Sequence, residues 1–373
     1  MDSTKDNSSS KIRYREMAER IDFNQLLGRD ASNLDPIDII DSIKSTRICV
    51  TGAGGSIGSE LVTQVASMGG VLLLIDINEN SLSRIEIELR TNFPDVEITA
   101  VVADIKDERE IKELLSTFQP DILFHAAAHK HVNLMERSPW QALKNNVGGT
   151  YTLAKIADTI EIKNFVFVST DKAVNPTSVM GASKRLAESV ILNINKKSKT
   201  KFDIVRFGNV LGSSGSVALI FKKQIAEGGP LTLTDPGMER FFMSIPEAAS
   251  LILRAILIGE GGSIFILDMG NPILIKDLAE SMIQQSGLTP NIDIEISIIG
   301  KRQGEKLSEE LHTKSENLEN TSYKKIHRIT PNESDIPSLS SIDKILLEVE
   351  PYGIESTKSL IHAILPSYDP SSI

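Results

Sequence analysis

One cysteine in 373 residues leaves an intramolecular disulfide without a second thiol. Cys49 lies in the apolar run Ile48-Cys49-Val50, where a small core residue is a better reading than a reactive thiol, as in a chain made for a reducing compartment. A surplus of positive charge is missing as well: 40 Lys plus Arg face 50 Asp plus Glu, a formal net charge of −10. That balance argues against nucleic acid or a membrane surface as a partner, and an anionic ligand would need a local basic pocket. Long apolar runs are also absent. The opening MDSTKDNSSSKIRYREMAER is polar, Val71 to Ile75 has the length of a buried strand, and Leu251 to Ile258 is interrupted by Arg254. The expectation is a soluble, cytoplasmic protein with no membrane span, no internal repeat and one large or two medium domains.

From Arg47 onward, short strands that are apolar throughout alternate with amphipathic stretches. The strands are Ile48 to Val50, Val71 to Ile75, Ile98 to Val102, Ile122 to His125, Phe165 to Val168 and Phe202 to Val205, with helices opening at Ser56, Glu79, Asp107 and about Ser183. Strands with no polar face belong to a parallel sheet covered on both sides, so the fold expected is α/β with a doubly wound parallel sheet. Residues 1–45 read as a lead-in, partly disordered, and 46–210 as the doubly wound domain. Gly-, Ser- and Pro-rich loops mark 211–312 as a smaller C-terminal subdomain. Residues 313–373 read as an extension of surface connections and two short helices.

Thr51 to Gly58 follows the first strand and opens a helix. Gly52, Gly55 and Gly58 permit a tight turn, close approach to a pyrophosphate and close helix–strand packing, while the backbone N–H groups of Ser56 and Ile57 face the anion. A glycine loop alone is a weak signal, since a plain βα turn looks the same. Asp76 at the end of the second strand adds weight: a carboxylate there binds the adenosine ribose and repels a 2′-phosphate, favouring NAD over NADP. The competing reading of Asp76 is a helix cap. Asp104 and Ile105, after the third strand, are placed to meet the adenine. Ala126, Ala127 and Ala128, after the fourth, let the chain pass close to the dinucleotide.

In a nicotinamide-binding frame, Tyr-x-x-x-Lys marks a dehydrogenase whose tyrosine takes a substrate hydroxyl proton. Here Met180 stands four residues before Lys184, and a thioether does no acid–base work. Upstream lie Thr170, Asp171 and Lys172, a carboxylate beside an amine at the carboxyl end of a strand, able together to remove a carbon-bound proton and expel hydroxide as water. The chemistry expected is elimination with the cofactor regenerated. His125, His129 and His131 are close in sequence, yet no Cys or carboxylate completes a ligand set, so no metal is expected. Lys130 and Glu136 from this loop approach the sugar in this reading, and Asn145 or Asn146 supports the active-site helix.

Thr51 to Gly58, His125 to Ala128, Ser169 to Pro176, Met180 to Lys184 and Arg206 to Val210 together resemble the extended short-chain dehydrogenase/reductase superfamily. Within it they are similar to the CapD-like nucleotide-sugar 4,6-dehydratases of bacterial polysaccharide and glycoprotein biosynthesis, which act on UDP-N-acetylglucosamine. The branch with methionine at the tyrosine position places transmembrane helices ahead of a linker like Leu26 to Asp30; this chain has the linker without the helices. The resemblance implies C4 oxidation by NAD, loss of water across C5 and C6, and hydride return to C6. It makes Lys172 the base, Asp171 the acid and Lys184 the nicotinamide-ribose ligand, with Thr170 or a water taking the C4 hydroxyl proton. For Lys172 to act near neutral pH its pKa must be depressed. Asn209, Val210 and the Gly212 to Gly215 loop match the nucleotide contacts, and Arg240, Arg302 and Glu305 the end that holds the diphosphate and uridine. Either arginine is alternatively a surface ion-pair member. A homo-oligomer is implied. The rival readings are a sugar-nucleotide epimerase working at C4 or C5, and a non-catalytic NAD-binding sensor.

Overall fold

The computed structural model describes residues 12–23, 25–27, 37–314 and 316–369. The linker expectation at Gly28 to Asp30 and the disorder expected at the extreme N-terminus lie outside these residues. Six parallel strands form the centre: β1 (Arg47–Thr51), β2 (Val71–Asp76), β3 (Ile98–Val102), β4 (Ile122–His125), β5 (Asn164–Val168) and β6 (Lys201–Arg206). They lie in the order β6-β5-β4-β1-β2-β3, so successive strands leave β1 on both sides, and the C-terminal ends of β1 and β4 flank the crevice where the order reverses.

Alternation along each strand explains the two-sided core. Ile48 and Val50 of β1 and Leu72 and Leu74 of β2 point into one layer, with helices Ser56–Ser67 and Ile245–Ile258. Cys49, Leu73 and Ile75 point into the other, with Leu115, Leu153 and Ile191. Burial pushes the Cys49 thiol well up, consistent with a core residue.

The sheet does not end at the boundary expected at 210. Strand Ile264–Leu267 pairs parallel to β6, and Ile326–Ile329 and Leu318–Asn320 add antiparallel strands beyond it, giving nine strands. Ile264, Ile266 and Ile329 are apolar enough to join the core, but their strands are only three or four residues long and scattered among loops, which hides them from a pattern search. The smaller subdomain has its own core of Phe221, Leu231, Leu278 and Met282, onto which Ala18, Ile21 and Leu27 of the lead-in pack. Of the two expected C-terminal helices, Leu339–Glu348 packs on the helix Val179–Asn195 and Ile354–Ile364 on the short helix Pro139–Ala142, and Ile342, Ile345 and Ile361 join one core with Met180, Leu186 and Val190. That helix is buried continuously from Val179 to Leu192. No helix among the described residues is long and apolar enough to cross a membrane.

Candidate active site

The glycine loop is shaped by close packing. Gly52 has φ +70°, and a Cβ there would stand 2.6 Å from the Ala127 nitrogen, so only glycine lets the loop lie on the Ala126–Ala127 backbone. Helix Ser56–Ser67 starts without a side-chain cap, which leaves its positive end turned to the crevice for an anion. Asp76 accepts the N–H groups of Gly54 and Asn78, both at 2.8 Å. The next helix, Glu79–Asn92, is capped by Asn78 instead. The cap reading of Asp76 therefore falls away, and its carboxylate keeps lone pairs for a ribose hydroxyl. Asp104 pairs with Lys106 at 3.0 Å, Ile105 is buried against Gly149, and Ala126 donates its N–H to Thr51 at 3.0 Å. The Ser56 hydroxyl accepts the Ser214 N–H at 3.1 Å, tying the cofactor loop to the Gly212 to Gly215 loop.

Beyond β5 the chain makes a short 3-10 turn, Asp171–Ala173, in which Thr170 caps Lys172 and its hydroxyl donates to Asp171 Oδ1 at 2.9 Å. Helix Val179–Asn195 comes down on this turn because position 181 is glycine: a Cβ would sit 2.2 Å from the Lys172 carbonyl oxygen. Met180 is 4% exposed and packs in the core shared with the C-terminal helices. Lys184 donates to the Val168 carbonyl at 2.7 Å and lies 3.9 Å above the Phe167 ring. Burial brings its pKa down to about 7. Behind it, Asn146 binds the Ser183 hydroxyl at 2.9 Å and both backbone groups of His129 at 2.8 and 3.0 Å, so Asn146 does support the active-site helix. It sits in a π-helical stretch, Leu143–Gly149, whose wider turn aims the side chain inward.

Asp171 is fully buried; its Oδ1 accepts from Lys172 Nζ at 3.0 Å and its Oδ2 has no hydrogen-bond partner. Lys172 also donates to Asn209 Oδ1 at 3.0 Å. Contrary to the expectation of a depressed lysine, the Lys172 pKa is raised: burial pulls it down, but Asp171 and then Glu309 outweigh that pull. Glu309 was not singled out from sequence. Its Oε1 stands 3.9 Å from Lys172 Nζ and 3.9 Å from Arg240, a neighbourhood that only the fold creates.

The substrate-side expectations divide. Asn209 joins the Asp171–Lys172 pair, and Val210 is buried beside Met243. Arg240 does not present an open fork: it is 7% exposed and donates to the carbonyls of Glu239, Lys306 and Leu307 at 2.7 to 3.0 Å. Arg302 is exposed and lines a cavity with Asn133, Arg137 and Lys358, while its N–H binds Glu305 at 3.1 Å. Lys130 is exposed. Glu136 turns away from a sugar position, accepting the Val179 N–H at 2.7 Å and pairing with Lys358 at 3.0 Å. His125 is buried between the hydroxyls of Thr51 and Thr150 at 2.8 and 2.9 Å, and burial drives its pKa well down, so the ring is neutral. Below the site, Arg206 makes a two-pronged bond to Glu188 at 2.8 Å and reaches Glu316 at 3.2 Å. Glu188 also accepts from Ser169 at 2.6 Å.

The polysaccharide biosynthesis protein family matches residues 48–331, from β1 to the end of the sheet. The chain belongs to this family. It is 47% identical over 313 residues to the capsular polysaccharide biosynthesis protein CapD of Staphylococcus aureus, covering 83% of this chain and 52% of that protein. The chain thus spans about half the length of this relative. It is 32% identical to the UDP-N-acetylglucosamine 4,6-dehydratase (inverting) of Campylobacter jejuni, over 76% of this chain and 83% of that protein. Among solved structures, Pen from Bacillus thuringiensis superposes with a TM-score of 0.72 at 33% identity, covering 78% of this chain and 90% of that one.

Proposed function

We propose that this protein of the polysaccharide biosynthesis family is a nucleotide-sugar 4,6-dehydratase that uses NAD and acts on UDP-N-acetylglucosamine. The observation that carries the reading is the pairing of fully buried Asp171 with part-buried Lys172 at the carboxyl end of β5, with an unpartnered carboxylate oxygen and with Met180 where a proton-accepting phenol would otherwise stand. The relative named for this reaction supports it. Gly52, Gly55, Ser56, Ile57 and Gly58 would hold the pyrophosphate, Asp76 the adenosine ribose, Asp104 and Ile105 the adenine, Ala126 to Ala128 the passing chain, and Lys184 the nicotinamide ribose. NAD, when bound, would supply a hydride acceptor for the sugar carbon C4 and return the same hydride to C6.

The protein's own groups handle the protons. A ketone at C4 acidifies the C5 hydrogen, so the site must hold a neutral amine and a protonated carboxyl together. The pair already contains the one proton needed. Passing it along the 3.0 Å hydrogen bond from Lys172 Nζ to Asp171 Oδ1 breaks an N–H bond, forms an O–H bond and leaves the pair's net charge unchanged. Lys172 then takes the C5 hydrogen, and Asp171 gives its proton to the departing C6 hydroxyl as water leaves. Thr170, or a water beside Lys184, relays the C4 hydroxyl proton onward to solvent, since a neutral hydroxyl that accepts one proton must release another. On the substrate side, Lys130, Asn209, Val210, Arg302 and Glu305 are the proposed contacts, with Arg240 shaping the floor.

Incubation with UDP-N-acetylglucosamine and NAD in deuterated water, followed by NMR, tests this. The expected product is a UDP-4-keto-6-deoxy sugar carrying deuterium at C5, with coupling constants that report retention or inversion. A C4 epimer without deuterium would replace the reading with an epimerase. NAD binding without any product would leave a sensor.

A further inference from the structure

A second buried carboxylate stands in this centre, on a segment brought in from the far end of the smaller subdomain. Glu309 is 7% exposed. Its Oε1 is 3.9 Å from both Lys172 Nζ and Arg240, too far for a hydrogen bond and close enough for strong electrostatic coupling, and its Oε2 is buried with no partner. An ordinary structural ion pair closes to contact. Here the backbone holds the gap: Arg240 grips the carbonyls of Lys306 and Leu307, Leu307 also accepts the Glu239 N–H at 2.9 Å, and Lys306 Nζ is anchored on the Val174 carbonyl at 2.9 Å. Segment 306–309 is thereby fixed to the turn that carries Asp171 and Lys172.

We propose that Glu309 is a proton-positioning residue that acts through Lys172, settling with Asp171 where the amine's proton resides before C5 is deprotonated. The proposal rests on the dehydratase reading for the identity of the reaction, though not for the electrostatics. The charged groups facing Lys172 are Asp171, Glu309 and Arg240, and those facing Glu309 are Lys172, Asp171, Arg240 and Lys306. Burial, and then the charge of Asp171, raise the pKa of Glu309, against Lys172, Arg240 and Lys306. An ionised Glu309 keeps the proton on Lys172; a protonated or neutralised one lets Lys172 release it at lower pH. Glu309 thus sets the pH from which Lys172 serves as a base.

Competitive labelling of amines with a trace acyl anhydride, read by peptide mass spectrometry across pH, measures this on the protein without cofactor or sugar; the Lys172 side chain is 21% accessible. The Lys172 midpoint is expected above that of an ordinary lysine. In Glu309→Gln it should fall by about one unit or more, the usual effect of removing an opposite charge at this range, while Glu309→Asp retains part of the elevation and Lys155, remote from the centre, does not move. In turnover, the pH onset of C5 deuterium incorporation should shift down in Glu309→Gln in parallel. A folded Glu309→Gln protein with an unmoved Lys172 midpoint overturns the proposal. Should Glu309→Gln not fold, Glu309→Asp decides: a midpoint and a C5 exchange onset both unchanged from the parent would overturn it as well. A shifted midpoint with no sugar turned over supports the role of Glu309 and removes the dehydratase reading; turnover with an unshifted midpoint does the reverse.

Discussion

At the residue scale, the proposed choice of NAD over NADP rests on Asp76, whose two oxygens are oriented by the Gly54 and Asn78 N–H groups rather than by a helix end. Asp76→Ala removes both the ribose acceptor and the charge that repels a 2′-phosphate. It should weaken NAD binding about tenfold or more, on the scale of a charge-assisted hydrogen bond, and narrow the preference over NADP, as read by fluorescence titration; equal affinities in the parent would contradict the assignment. Residues whose role is local were legible in the sequence. Gly52, Asp76 and the Asp171–Lys172 pair were singled out because each stands within a few residues of its own strand end. Glu309 was not, and Arg240 was singled out only for a phosphate fork: their surroundings depend on which carbonyls and charges the distant segment 306–309 brings alongside, and no local pattern records that. The direction of the Lys172 pKa shift was missed for the same reason, since it is set by two carboxylates of which only one is its chain neighbour.

At the scale of elements, helix Val179–Asn195 is the member that unites the site. It carries Ser183 and Lys184 toward the cofactor crevice and buries Met180, Leu186 and Val190 against the C-terminal helices. Its first turn is held by Glu136, which accepts the Val179 N–H while pairing with Lys358 from helix Ile354–Ile364. Both partners are less than a tenth exposed. Lys358→Met therefore strands a buried carboxylate and should cost on the order of 3 kcal/mol. Adding Glu136→Gln should restore much of that loss, so urea unfolding of the two single variants and the double variant should be clearly non-additive; additive costs would mean that the pair is not coupled. The sequence of the extension after 313 reads as surface connections and two short helices. The helices themselves were visible as apolar periodicity, but their target, a helix buried on every side, became apparent only from the packing.

At the scale of the whole molecule, two buried carboxylates bias stability with pH in opposite senses. Glu188 is held down to about 2 despite burial, because Arg206 and Arg185 surround it. Its folded pKa lies below the unfolded value, so its contribution, on the order of 3 kcal/mol, is present above the ordinary glutamate pKa and is lost as pH falls from there toward 2. Asp203 is pushed up to about 6 by burial. Its folded pKa lies above the unfolded value, so its charge disfavours the fold above pH 6, and protonation relieves that cost as pH falls toward the unfolded pKa. The neutral, buried His125 opposes Asp203 as pH falls through the ordinary histidine range, so urea midpoints should change little between pH 7 and 5 and fall steeply below about 4.5. Midpoints that stay level from pH 4.5 down to 3 would show that the Glu188 environment is not as described.

The central claim, that oxidation and elimination rest on different groups of one site, is tested most directly by a single turnover of Asp171→Asn with NAD and UDP-N-acetylglucosamine, following NADH absorbance and quenched product together. The variant keeps Lys184, the glycine loop and nearly the same volume at position 171, but lacks the proton donor for the departing C6 hydroxyl. NADH should form and persist on the protein, while 4-keto-6-deoxy product appears about a hundredfold more slowly or less, the usual scale for loss of a general acid. Product at the parental rate, or no NADH in a folded variant whose parent turns over, would contradict the account.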